Sequence, residues 1–412
     1  MLKVFHERPL AAYLTYRTLG LTWAFAPFQV YYLQHRGLSV ADVFDLNVVF
    51  GLAAVAFEVP TGAFADRRGR RVAMSLGAFV MSFACLCFIF GRGFGAFALA
   101  NVLSALSMCL ASGADSAYLY DHLNARKQLG HYGRWEGLGT AAKGLGNLAA
   151  VLVGSLLYHY THPTAVFWLT ALTTAVAGVV ALGLPERRTL REGRVSDHLR
   201  RALNTLRTDP RLASVVLFGA VSFVLLRLSL FADQPHLEAH LHGAWLRYTV
   251  LSMGALAALK EIGTALLASA SGYLFKQYRV ASLSVALGLF LLAAYALMGT
   301  DHGLLCVPLM VLLATAFGVF SPLMRMLMNR VIVHSHERAT LLSVEGMGRR
   351  LLFAAISPLF GRAVEASSLH ATFSGTAWVA GAAYLALGAF AFGAFRAGPS
   401  ASVEGSARVS VA

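Results

Sequence analysis

The sequence predicts an all-α membrane protein of twelve transmembrane helices in two pseudo-symmetric sets of six. Three observations carry this: a shortage of charge, twelve apolar runs of spanning length, and one long basic interruption near the middle. Of 412 residues, 57% are hydrophobic and 13% charged, about half the charge of an average soluble domain; mean hydropathy is +0.63. A soluble core of that size would need a polar surface this chain cannot supply, and disorder needs the opposite composition. A helix crosses a hydrocarbon core about 30 Å thick with about 20 apolar residues, so twelve spans fit with room for loops.

The runs lie near 10–33, 42–64, 72–91, 95–119, 135–158, 163–184, 211–233, 246–270, 280–299, 303–325, 341–363 and 371–395. The start, MLKVFHERP, places basic residues before the first run, and no small-residue cleavage site follows it. It reads as a retained span rather than a secretory signal. The stretch 185–210 is the longest polar interruption, and its HLRRALNTLR portion suits a short amphipathic surface helix. Six spans on either side suggest duplication. The expected organisation is thus a bundle over 1–184, a central loop over 185–210, a second bundle over 211–396 and a tail over 397–412.

Net charge is +14. In a soluble protein that would point to nucleic acid; here most of the excess sits in short loops, where it sets topology. With the N-terminus inside, the inner segments hold 26 Lys and Arg, and the outer ones only Arg36, Arg92, Arg247 and Arg362. Both termini are therefore expected in the cytoplasm of a multi-pass cell (inner) membrane protein. Cys85, Cys87, Cys109 and Cys306 all lie in apolar runs, without metal-ligand spacing or an extramembrane disulfide pair.

Between the second and third runs stands G-A-F-A-D-R-R-G-R-R, Gly62 to Arg71. The pattern Gly-x-x-x-Asp-Arg-x-Gly-Arg-Arg resembles the signature loop of the major facilitator superfamily, with every defining position filled. Leu-Pro-Glu-Arg-Arg at 184–188, closing the sixth run, resembles another of its sequence markers. The resemblance implies two six-helix bundles facing a central cavity and a transport cycle that opens it to either side in turn. Gly62, Asp66, Arg67, Gly69, Arg70 and Arg71 would form a cytoplasmic latch. Asp66 would meet a helix N-terminus and a basic partner, and Gly69 would permit the tight turn. The matching loop of the second half, Gly272 to Arg279, lacks the acid. Drug antiporters of the family often carry an arginine where Cys109 stands and a Gly-Pro motif in the fifth helix, which here has glycines but no proline.

An ionisable residue within a span costs several kcal/mol and marks a pathway by default. Arg17, Lys143, Arg227, Lys260 and Glu261 are candidate substrate-binding residues, with Arg349 or Arg350 also entering a span. Ion pairing between helices is the competing reading for each. Asp115, Glu136 and Glu345, with Arg134, lie at the inner level of Asp66 and suit a cytoplasmic gate. Glu58 shares that level. Glu261 lies near mid-span and is the first candidate for a proton-carrying group; Asp45, near the outer end of the second run, is the second. Tyr16, Trp23, Tyr31 and Tyr32 could touch substrate, and Gln29 and Gln234 could line the outer mouth. His236, His240 and His242 cluster with Glu238 in an outer loop; three imidazoles could hold zinc, but a solvated loop is the preferred reading. No nucleophile, base and orienter set suggests an enzyme. The expected function is secondary transport of a small organic solute, most readily proton-coupled efflux by a monomer among membrane lipids, without cofactor, metal or nucleic acid. Proton-coupled uptake of an anionic or zwitterionic solute is the alternative.

Overall fold

The computed structural model describes residues 8–186, 204–231, 234, 236–237, 248–300, 303, 306–332 and 338–397. In chain order the first half contains α1 (Arg8–Leu19), α2 (Gln29–His35), α3 (Val40–Arg68), α4 (Arg70–Phe90), α5 (Gly93–Ala111), α6 (Ala114–Ala125), α7 (Tyr132–Tyr160) and α8 (Ala165–Leu182). The second half contains α9 (Pro210–Ser229), α10 (Thr249–Gln277), α11 (Val280–Met298), α12 (Cys306–Thr315), α13 (Phe317–Val331), α14 (Arg338–Ala366) and α15 (Leu369–Ala397). Residues 204–208 are helical, while the rest of the predicted surface helix lies outside the described residues.

Among the described residues, ten helices or helix pairs are long and apolar enough to cross a membrane. The two predicted spans outside that set have local causes. The first is interrupted: α1 ends at Leu19, and regular helix resumes at Gln29 after a 3₁₀ turn over Ala26–Phe28. The eleventh, α14, is unbroken over 29 residues but carries Glu345, Arg349 and Arg350 within its apolar stretch. The fourth span also breaks, between α5 and α6, where Gly113 adopts φ +75°. The tenth breaks at Ala316, between α12 and α13.

Local chemistry sets the ends. Ser39 and Asp42 form a reciprocal capping box at the start of α3, with Asp42 N donating to Ser39 Oγ at 3.0 Å and Ser39 N to Asp42 Oδ2 at 2.9 Å. Asp209 caps α9 by accepting from Arg211 N at 2.9 Å, with Pro210 at the first helical position, where its missing N–H costs nothing.

The helices divide into two compact units, one of residues 1–193 with 237–262, the other of 194–236 with 263–412. In the first, small residues let helices approach. A Cβ on Gly77 of α4 would stand 3.0 Å from the Ser107 carbonyl of α5, and one on Gly146 of α7 would fall on the Thr18 carbonyl of α1. Hydroxyls stitch the same crossings: Ser107 Oγ donates to Gly77 O at 2.7 Å and Ser75 Oγ to Gly178 O at 2.8 Å. This is packing expected where lipid, not water, surrounds the bundle. In the second unit, Gly318 of α13 lies against Thr264 and Ala268 of α10 in the same way. Large apolar side chains point outward, with Trp378 and Leu385 of α15 80% and 78% exposed, a distribution tolerable only in hydrocarbon.

Candidate functional site

The signature loop is a single glycine between two helices. α3 ends at Arg68, Gly69 takes φ +104° and ψ +150°, and α4 begins at Arg70. Asp66 Oδ1 pairs with Arg70 Nη2 at 2.6 Å, one helical turn on. The backbone amides opening α4 are met by Glu186 rather than by Asp66. Glu186 Oε1 accepts from Arg70 N and, at 3.2 Å, from Arg71 N, while Arg71 Nη1 donates to Leu184 O at 3.3 Å. A carboxylate on exposed helix-start amides is favoured by both hydrogen bonding and the helix dipole. The two family-like motifs thus meet: Glu186, from the 184–188 stretch, lies where a side chain at position 69 would have to go. The basic partner expected for Asp66 is present; its expected amides belong to Glu186. Gly62 has open space around it, and Arg67 is exposed.

Deeper in the same unit, Arg17 of α1 reaches α6 and α7. Its Nη1 pairs with Asp115 Oδ2, its Nη2 lies 3.7 Å from Glu136 Oε1, and Nε donates to Gly139 O at 3.3 Å. Thr140 Oγ1 is 3.4 Å from Nη2, and Ser116 Oγ donates to Glu136 Oε1 at 2.8 Å. The guanidinium also lies 5.9 Å from the Tyr13 ring centroid. Glu136, Gly139, Thr140 and Lys143 share one face of α7 by their spacing, and the glycine makes room for the arginine: a Cβ there would stand 3.3 Å from Arg17 Nε. Arg17 and Asp115 are 6% and 7% exposed, so this is a buried, paired charge group. Arg17, expected at a substrate cavity, Asp115 and Glu136, expected at a gate, belong to one cluster. Arg134 is exposed.

Lys143 lies within electrostatic reach of Arg17, Asp115 and Glu261, so the candidate proton carrier on α10 and a candidate substrate residue on α7 act on one another. Further along, the two helices approach closely, since a Cβ on Gly254 of α10 would meet Ser155 of α7. Lys260 is buried, and Asp45 and Glu261 are half-buried. Glu58 Oε2 stands 3.8 Å from Cys109 Sγ, whose thiol lies 3.3 Å from Ala54 O. Sequence reasoning did not find that contact, nor Ser116, Gly139 and Thr140; the spacing on α7 was the available signal for the last two.

The second unit arranges its charge differently. Glu345 and Arg349 pair within α14 at 2.9 Å. The Arg349 guanidinium lies 5.4 Å from the Phe223 ring and 5.5 Å from the Phe320 ring. Glu345 is 3% exposed, and its Oε1 would stand 3.1 Å from a Cβ on Gly219 of α9. In both units a glycine therefore admits a charged side chain from a neighbouring helix. It is the Arg17 guanidinium of the first helix in one unit and the Glu345 carboxylate of the eleventh span in the other. Arg227 of α9 lies 5.7 Å from the Phe231 ring centroid. His236 Nε2 is 2.9 Å from Gly303 O, and its ring packs against His370 at 5.9 Å. His240, His242 and Glu238 lie outside the described residues. Among the described residues, no group of three or more His, Cys, Asp or Glu could hold a metal.

Apolar helices around sparse, clustered intramembrane charge describe a polytopic membrane protein. The sequence model of the Major Facilitator Superfamily matches residues 17–358, and the chain belongs to that family of secondary transporters. Solved structures agree on the fold. A crystal structure of the nucleoside transporter NupG superposes with a TM-score of 0.78 at 14% identity, covering 93% of this chain and 98% of that one. A bacterial homologue of the human lysosomal transporter Spinster, inward-facing and unoccupied, gives 0.65 at 16% identity, covering 96% of each chain. A POT family transporter in complex with 5-aminolevulinic acid gives 0.72 at 12% identity, covering 94% and 96%. No curated relative matches by sequence.

Proposed function

We propose that this chain is a proton-coupled exporter of a small organic solute, a monomer in the cell's inner membrane with both termini cytoplasmic. Supporting the orientation is the surplus of Lys and Arg in the segments assigned to the inside. Supporting proton coupling is the placement of Glu261, half-buried near mid-span, within electrostatic reach of Lys143. A proton on Glu261 removes the negative charge that faces the ammonium, so the proton gradient acquires a handle on which conformation is favoured. Asp45 is the second candidate carrier. Arg17, Lys143, Arg227 and Lys260 are proposed to border the substrate path. Asp66 with its arginines, and Asp115, Arg134, Glu136 and Glu345, are proposed to act as cytoplasmic gates.

In proteoliposomes carrying a pH gradient, Glu261→Gln is expected to abolish proton-coupled flux while the protein still reconstitutes. Wild-type coupling in that variant rejects the assignment. Expression in a host stripped of exporters tests direction: reduced accumulation of a toxic compound supports export, whereas new growth on a solute supports import. The import reading, for an anionic or zwitterionic solute, draws its support from the intramembrane cations.

A further inference from the structure

Most intramembrane cations described above have an acidic partner or an acid within electrostatic reach. Arg17 has Asp115 and Glu136, Arg349 has Glu345, and Lys143 has Glu261 in range. Arg227 differs: among the described residues, neither a carboxylate nor a hydrogen-bond acceptor meets its guanidinium, and its contact is the ring of Phe231. An arginine inside a span is costly, so one without an acid among the described residues asks for a counter-charge. Arg227 lies about 26 Å along α9, in its outer third, at 1.5 Å per residue. Snorkelling to a lipid headgroup is the simplest way to supply that counter-charge.

The surroundings of Arg227 argue against lipid. Phe223 and Arg227 lie one turn apart on one face of α9, and Phe231 follows in the turn just past the helix end. That face is flanked by protein: Phe223 packs on Phe320 of α13 at 6.5 Å and on Phe353 of α14 at 6.3 Å, and Phe353 stacks on Phe231 at 6.2 Å. Phe223, Arg227 and Phe231 are nevertheless only half-buried. The other guanidinium on the same aromatic group, Arg349, is already paired with Glu345. What remains is one positive charge without an acid among the described residues, beside two half-buried rings already in contact with Phe353 and Arg349, all within one unit.

We propose that this ladder is a binding site for an aromatic organic anion, with the carboxylate or similar oxyanion on Arg227 and the ring stacked on Phe231 or Phe223. A guanidinium fork matches a carboxylate in two hydrogen bonds, and offset ring stacking adds affinity beyond the area buried. The proposal narrows the substrate class of the transport reading and rests on that reading, though not on its direction or coupling.

The test is equilibrium binding to the full chain purified in detergent, followed by thermal stabilisation. The probes are matched triplets: benzoate, indole-3-acetate and naphthoate, the amide of each, and the cyclohexane or decalin carboxylates. The aromatic anions are expected to stabilise the protein, the amides not, and the alicyclic acids weakly. Arg227→Gln should weaken aromatic-anion binding about tenfold or more, as loss of a charge-assisted hydrogen bond implies. Arg227→Lys should retain part of the binding, and Phe231→Leu should level aromatic with alicyclic acids. Equal stabilisation by acids and amides, unchanged binding in Arg227→Gln, or stabilisation by phosphatidylglycerol with none by the aromatic acids would each overturn the proposal. Binding is read without a gradient, so its failure is distinct from failure of proton-coupled transport.

Discussion

The contact between Gly69 and Glu186 invites a double-mutant cycle. Gly69 occupies φ +104°, ψ +150°, a region open almost only to glycine, where another residue costs about 1–3 kcal/mol. A Cβ there would also stand 2.9 Å from Glu186 Cδ and push the carboxylate off the Arg70 and Arg71 amides. Loss of such a cap, with its favourable dipole interaction, costs about 1–2 kcal/mol. Gly69→Ala should therefore destabilise by about 2–5 kcal/mol and Glu186→Ala by about 1–2 kcal/mol. In the double variant the cap is already gone, so only the backbone strain should be added. The expected coupling is about 1–2 kcal/mol, within the range for residues in contact. Reversible unfolding in mixed micelles, followed by tryptophan fluorescence across all four proteins, measures it. Additivity to within about 0.5 kcal/mol, the behaviour of independent sites, would refute the shared-space reasoning.

Other expectations follow from the same geometry. Arg17→Gln strands a buried Asp115 carboxylate and should cost about 3–5 kcal/mol; adding Asp115→Asn should recover much of it, and a double variant no more stable than the single would argue against the pair. Gly318→Ala must push α13 away from the α10 backbone, with Ala268 N only 2.8 Å from the new Cβ, and should lower stability by about 1–3 kcal/mol. Gly375→Ala, with nothing within 4 Å, should leave the melting midpoint unchanged or slightly raised. Asp66→Asn loses a partly exposed ion pair with Arg70 and should cost less than about 1 kcal/mol of stability while slowing transport in proteoliposomes; a wild-type transport rate would argue against the latch.

Much of the architecture was legible because lipid imposes a simple rule on composition, so apolar run lengths predicted the helices closely. What the rule could not show was where a span breaks. Gly113 was visible as a glycine, but a left-handed turn in mid-span depends on neighbours that hold both pieces. The site was legible by residue type more than by partnership. Arg17 and Asp115 are 98 positions apart, and nothing local fixes the rotations that bring α1 and α6 face to face. Asp66 shows the same limit: the loop motif marked it for the helix-start amides, yet the acid on those amides came from Glu186, 116 positions beyond Arg70. Arg227 is the opposite case. Its position marked it as costly, and only the surrounding rings and the absence of an acid among the described residues distinguish it from the paired arginines.

The uninterrupted helices α3, α7, α10, α14 and α15 each run 29 residues, about 44 Å at 1.5 Å per residue. A hydrocarbon slab is only about 30 Å thick, so these five rods must lean or jut into the headgroups. Leaning angle responds to acyl-chain length, with fractions of a kcal/mol per ångström of mismatch. Turnover should thus drift with the thickness of the host bilayer, and a lipid series from short to long chains would act on this protein as a mechanical dial.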